Sequence, residues 1–252
     1  MRLPRKSVPS AFTLIELLVV IVIIAVLAGL IFPVFAKVRR SSLETRTLSN
    51  LRQIGTAMST YCGEHDDHLP GPLSVEQFPT YGGDAKRDSG SLVKLLGPYL
   101  GIAESKSGEK VTVRESDLFA CVGATHPKLD EVPGYIMNME LVPDKDQPAW
   151  GRVGGNEQPL KRSALISWRD LSGKTEVSDG TVLLSRKWAM RHTDQKDCEK
   201  LGLTGEWVEK LPKEPFFEDH YAALFFDMHA ERHFPNYTED KGNTDDPNNP
   251  KP

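Results

Sequence analysis

Cysteine is scarce: Cys62, Cys121 and Cys198 are the only three in 252 residues. An odd count leaves at least one thiol unpaired within the monomer, and none shows the C-x-x-C spacing of a redox or metal motif. Three free thiols and one disulfide plus a free thiol both stay open. Catalytic signatures are missing too. There is no G-x-S-x-G, H-E-x-x-H, phosphate-binding loop or G-x-G-x-x-G, so the chain is not expected to be an enzyme. No lysine and arginine cluster is interleaved with aromatics. The net charge is −4, and without Arg2, Arg5 and Lys6 the remaining 28 basic and 35 acidic residues leave −7. An acidic body excludes the basic footprint of a nucleic-acid partner. Long apolar runs are absent after residue 35, so the remainder reads as a water-soluble body.

One apolar run stands before that point. Residues 17–35 read LLVVIVIIAVLAGLIFPVF, without a charge. Counted from Phe12 the stretch has 24 residues, longer than the ~7–15 of a secretory h-region. The small residues Ser10 and Ala11 lie in front of it, and no A-x-A-like site lies behind. As a helix, residues 12–35 would extend about 36 Å, enough to cross a ~30 Å hydrocarbon core.

Glu16 is the one charge in that span. A carboxylate in a bilayer costs a few kcal/mol, so it calls for a named partner. If the chain is cut between Ala11 and Phe12, the new α-amino group of Phe12 is a candidate, from the same chain or a neighbour. The alternative places Glu16 at the membrane surface. Pro33 removes a helical hydrogen bond and crowds the preceding turn. With Gly29 it makes 29–33 the weakest part of a helix here, or else it ends the membrane helix.

The segment SAFTLIELLVVIVIIA, residues 10–25, resembles the cleavage and methylation signature of type IV prepilins and type II secretion pseudopilins. The resemblance implies that a prepilin peptidase cuts between Ala11 and Phe12 and methylates the Phe12 amine. It implies that Glu16 guides the subunit into a filament by pairing with a neighbour's N-terminal amine. Pro33 matches a proline common in these helices. Ala11 departs from the family's usual Gly before the cut.

Beyond Pro33, Leu48, Leu51, Ile54, Met58 and Tyr61 are spaced 3, 3, 4 and 3, one face of an amphipathic helix. Gly63 and Pro70 are its stop signals. The spacing predicts a single helix over 12–62, greasy all round in its first half and on one side in its second. The first half must lie in a bilayer or in a bundle of like helices. A non-polymerising single-pass anchor carrying a binding or enzymatic head is the alternative.

The rest predicts an α+β fold, a small antiparallel sheet laid on the long helix. Residues 64–90 read as loop and 91–101 as a short helix. Strand candidates are 117–121, 134–139, 163–168, 181–186, 220–227 and 229–234. The segments NLRQIGTAMSTYCGEHDDHLPG, LFACVGATHP, YIMNMEL, TVLLSRKW and HYAALFFDMHAERHF resemble blocks of a pseudopilin-like group common in planctomycetes and related bacteria. That group often carries a C-terminal His, a nine-residue spacer and Asp-Gly. Here Asp227 matches the Asp, Met228 replaces the Gly, and Phe217 stands ten residues before Asp227. The resemblance implies Arg191-His192 as the displaced counterpart, separated by an insertion. Val122 stands where the group has Pro.

Asp227, His229, Glu231 and His233 alternate, so on one strand they would share a face able to hold zinc or another divalent ion. A solvated strand face is the plainer expectation. Glu64 to Asp67 and Asp240 to Asp246 offer oxygen ligands for calcium, but neither has EF-hand spacing, and no cofactor is expected. The expected organisation is a leader at 1–11, a transmembrane and polymerisation helix at 12–35 and its amphipathic continuation at 36–62. A pilin-like head follows at 63–235 and a disordered tail at 236–252. The expected partners are prepilin peptidase, other pilin or pseudopilin subunits and the bacterial inner membrane. The head would lie in the periplasm or in an extracytoplasmic filament.

Overall fold

The computed structural model describes residues 14–81, 88–102, 111–112, 118–120, 132–139, 141–142, 147–166, 188–213, 215, 217 and 220–233. The chain divides into two compact units, residues 1–42 and 43–252.

Helix α1 runs from Leu14 to Glu64, as the periodicity predicts to within two residues at each end. Its backbone stays helical through Pro33. Within the first unit the large apolar side chains of residues 14–27 are 45–81% exposed, with no face turned inward. Lys37, Val38, Arg39 and Arg40 are exposed as well.

From Leu43 onward the same helix is amphipathic in fact. Leu51, Ile54, Met58 and Cys62 are fully buried, while Leu48 and Tyr61 are half-buried at the margin of that face. They pack into one core with Tyr135, Met137, Met190, Ala222 and Leu224. Apolar spacing sets this helix, since 3.6 residues per turn brings 51, 54, 58 and 62 to one side.

The core's other wall is a five-stranded sheet in the order β1-β4-β7-β8-β9. Its strands are β1 (Glu76–Gln77), β4 (Tyr135–Met137), β7 (Trp188–Arg191), β8 (Tyr221–Phe225) and β9 (Ala230–His233). All neighbours pair antiparallel. Two further pairs join β2 (Thr80–Tyr81) to β3 (Val111–Thr112) and β5 (Leu141–Val142) to β6 (Gln147–Pro148). Alternation divides β8: Ala222 and Leu224 join the core with α1, while Ala223 and Phe225 face the other way with Ile136 and Trp188. Both faces are covered, so all five residues of β8 are buried. Leu203 and Trp207, from the segment between β7 and β8, pack on the second face.

Helix α2 (Leu92–Leu100) matches the short helix expected at 91–101. Ser91 caps it by accepting from the Lys94 N–H, and Gly101 closes it at φ +67°. Gln77, fully buried, accepts from the Leu92 N–H at 2.7 Å and donates to the carbonyls of Ser74 and Gly90. It thereby ties β1 to the start of α2.

Two strand expectations are corrected. Residues 162–166 form a short helix, α3 (Arg162–Ile166), because the Asp67 carboxylate accepts from the Ser163 N–H at 2.8 Å and serves as a cap from outside the helix. Residues 118–120 form bends, and the rest of 117–121 lies outside the described residues. The loop expected at 64–90 contains β1 and β2. The expected strand 181–186 and the tail from 236 lie outside the described residues.

Candidate functional site

Glu16 sits in the first turn of α1 and is exposed. A carboxylate there complements the positive end of the helix dipole. Ala11 and Phe12 lie outside the described residues. Pro33 lies inside α1. Among the described residues no helix is long and apolar enough to cross a membrane. The side chains described without a gap run from Leu14 to Gly29.

In the head, the expected ligand face at the C-terminus does not form as one strand face. Asp227 occupies the turn after β8, and only Glu231 and His233 of the four belong to β9. The Phe225 carbonyl accepts from the Met228 N–H, and the Phe225 N–H donates to the His229 carbonyl. This three-residue hairpin turns the chain before it can alternate as a strand. His229 Nδ1 contacts Asp227 Oδ1, and its Nε2 lies 3.4 Å from Glu231 Oε2. His233 is instead set beside Trp188 and Phe225, with ring centroids 6.4 and 6.3 Å away. Burial, helped by the Arg191 charge, lowers its pKa to about 4. Among the described residues no group of three or more His, Cys, Asp and Glu side chains could hold a metal ion.

Arg191 ends β7 and His192 follows it, and β7 pairs directly with β8. Residues 193–219 are therefore inserted between adjacent strands. A bulge between Trp188 and Met190 shifts the register. Residues 188 and 191, which plain alternation would put on opposite faces, thus come to one face. The Arg191 guanidinium carbon lies 4.4 Å from the ring centroids of both Trp188 and Tyr221. Its Nη2 donates to Asp197 Oδ1 at 2.8 Å, and its Nη1 lies 2.8 Å from Asp197 Oδ2, a two-pronged ion pair with little exposure. Asp197 belongs to α4 (Gln195–Lys200), which Asp194 caps by accepting from the Asp197 N–H. Tyr221 donates its hydroxyl to Asp194 Oδ2 at 2.5 Å, and burial raises its pKa. These contacts fasten the insertion to the sheet.

His192 points into the head beside Tyr135, with ring centroids 4.6 Å apart. Burial first, then the Arg191 charge, lowers its pKa to about 3, so at neutral pH it is uncharged. A second buried carboxylate, Glu44 of α1, accepts from Arg232 Nε at 2.5 Å and lies 3.2 Å from His220 Nε2. Sequence reasoning passed over Glu44, although it is the only acid between residues 17 and 63. An isolated acid one turn before an apolar helix face was the available signal.

Two acids of the helix exit are engaged within the head. Glu64 accepts from the Tyr99 hydroxyl at 2.7 Å, while Asp67 is held by Ser163 and lies 3.4 Å from Arg162 Nε. Asp240 to Asp246 lie outside the described residues. Cys62 and Cys198 are free and buried. Burial raises both thiols, Cys62 to about 11, so neither presents a reactive thiolate. Cys121 lies outside the described residues.

No curated protein and no solved structure matches the chain. Residues 9–32 match the family model described as the prokaryotic N-terminal methylation motif. The match spans Ala11, Phe12 and Glu16 and stops one residue before Pro33. The chain therefore carries a prepilin-type N-terminal signature, as found in pilin-like proteins.

Proposed function

We propose that the chain is a structural subunit of a type IV pilus-like or type II secretion pseudopilus filament. The observation that carries this reading is the methylation motif at 9–32, which leads directly into one helix from Leu14 to Glu64. That helix is apolar on every side up to Phe35 and is a core element of the head from Leu43 onward. Prepilin peptidase cuts between Ala11 and Phe12 and methylates the Phe12 amine. Before assembly, residues 12–35 cross the bacterial inner membrane, their length matching the hydrocarbon core. In the filament the same surface packs against neighbouring helices, so anchoring and polymerisation use one set of side chains.

Glu16 directs entry by pairing with the Phe12 amine of a neighbour. Two unit charges at 4 Å attract by about 4 kcal/mol at an effective dielectric of ~20. Desolvation offsets much of this, so the pairing sets register more than stability. No cofactor or catalytic residue is needed. The absence of a legible C-terminal disulfide loop favours a pseudopilin over an adhesive pilin, and the free Cys198 supports that preference. We read Arg191-His192 and Asp227-Met228 as the two halves of the C-terminal motif, separated by the 193–219 insertion.

Replacing Glu16 by Ala tests the mechanism. The variant is expected to insert in the membrane as the parent does and to be depleted from sheared filaments. Filament incorporation at the parental level contradicts the reading.

A further inference from the structure

The half of α1 that belongs to the head is held in two ways. From Leu51 onward its fully buried side chains include the apolar Leu51, Ile54, Met58 and Cys62. Over residues 43–50, about two turns, the buried side chains are Glu44, Thr47 and Asn50, all polar, while Leu43 and Leu48 are half-buried. The spacing of 3 and 3 sets those three along one side of the helix. Thr47 turns its hydroxyl back onto its own helix, donating to the Leu43 carbonyl at 3.0 Å. Glu44 reaches across instead. It accepts from Arg232 Nε of β9 at 2.5 Å and lies 3.2 Å from Nε2 of His220, which stacks on Phe217 with ring centroids 5.6 Å apart. The ion pair is uneven: the Glu44 side chain is 11% exposed and that of Arg232 52%. Arg232 already meets water, and Glu44 recovers its hydration on leaving the sheet, so parting them costs less than parting two buried ions. Segments with few buried apolar contacts are the ones that open locally.

We propose that residues 43–50 form a strap, a polar-faced stretch of α1 that is latched to the hairpin of β8 and β9 by the Glu44–Arg232 ion pair and lifts from it while the core from Leu51 onward stays closed. Lifting the strap uncovers polar side chains and two half-buried leucines. Lifting the next turn would uncover Leu51 and Ile54, which are fully buried, so the apolar core sets where the opening stops. Glu44 is the positioning residue of the latch. It is the only acid between residues 17 and 63, so a helix that slipped along the sheet would bring no second carboxylate to Arg232. Opening moves the point at which the head takes hold of α1 from Leu43 to Leu51 and leaves the fold of the head intact.

The test uses the full chain in detergent micelles, carrying Thr47→Cys to place a thiol on the buried side of the strap. Alkylation by iodoacetamide is followed site by site by mass spectrometry. Cys62, fully buried on the same helix, is the internal reference. Adding Arg232→Ala is expected to speed alkylation at position 47 by at least about tenfold, the lower end for loss of a hydrogen bond to a charged group, and to leave Cys62 unchanged. Adding Arg232→Lys instead, which keeps the charge, is expected to hold position 47 near the rate of Thr47→Cys alone. An unchanged rate at position 47 with Arg232→Ala overturns the latch. Acceleration of position 47 and Cys62 together, which is also the result if Arg232→Ala unfolds the head, overturns the strap as a unit that opens by itself. A rate with Arg232→Lys as fast as with Arg232→Ala shows that the charge does not close the strap and overturns the proposal as well.

Discussion

His192 and Met228 are two residues whose surroundings work against their intrinsic preferences. The unfolded chain protonates a histidine near pH 6.5, whereas folded His192 resists protonation down to about 3. Between those values the unfolded state binds the extra proton, so stability falls as pH falls, by up to about 1.4 kcal/mol per pH unit. His233, lowered to about 4, acts in the same direction. A His192→Gln variant is therefore expected to lose stability less steeply than the parent between pH 7 and pH 5, measured by urea unfolding at each pH. Parallel slopes would contradict the assignment. Met228 has φ +69°, the left-handed region that glycine enters without penalty and other residues enter at about 1 kcal/mol or more. It stands where the resembling motif has glycine, and the hairpin keeps the glycine geometry regardless. Both Met228→Ala and Met228→Gly remove its contacts with the core, so their difference isolates the backbone. Met228→Gly is expected to be the more stable by about 1 kcal/mol in thermal or urea unfolding. The reverse order would show that the turn relaxes away from positive φ.

Gly55 explains how α1 meets the hairpin. A Cβ at Gly55 would lie 2.8 Å from the Met228 carbonyl oxygen and 2.9 Å from Leu224 Cδ1. Glycine in a helix interior costs about 1 kcal/mol relative to alanine, so an exposed site would gain from the exchange. Here Gly55→Ala is expected to destabilise by about 1–3 kcal/mol, because the helix or the turn must move apart. A stabilised Gly55→Ala variant in the same unfolding assay would remove this contact from the account. Elements whose signal is periodic were legible in advance. The face at Leu51, Ile54 and Met58, the short helix before Gly101 and the final hairpin follow from local spacing and caps. Residues 162–166 were not legible, because the cap on their helix is Asp67, 96 positions earlier in the chain. The Arg191 clamp was hidden for a related reason. It depends on a bulge that brings residues 188 and 191 to one face and on an ion partner in an inserted helix.

At the scale of the whole molecule, the long helix changes character along its length. Its first stretch has no inward face, and its second supplies the core of the head. The N-terminal signature was fully legible, since an isolated charge in a long apolar run needs no tertiary information. The alternating set at Asp227, His229, Glu231 and His233 was misread as a single strand face, because alternation in sequence does not reveal where a strand turns. Processing before Phe12 is the claim on which assembly into a filament depends. Its most direct test is the intact mass and N-terminal sequence of the protein from its native membrane, with and without the prepilin peptidase. The account predicts a mature chain that begins at methylated Phe12 only when the peptidase is present. A chain that keeps Met1 to Ala11 in both preparations would contradict it and leave a simple anchored head.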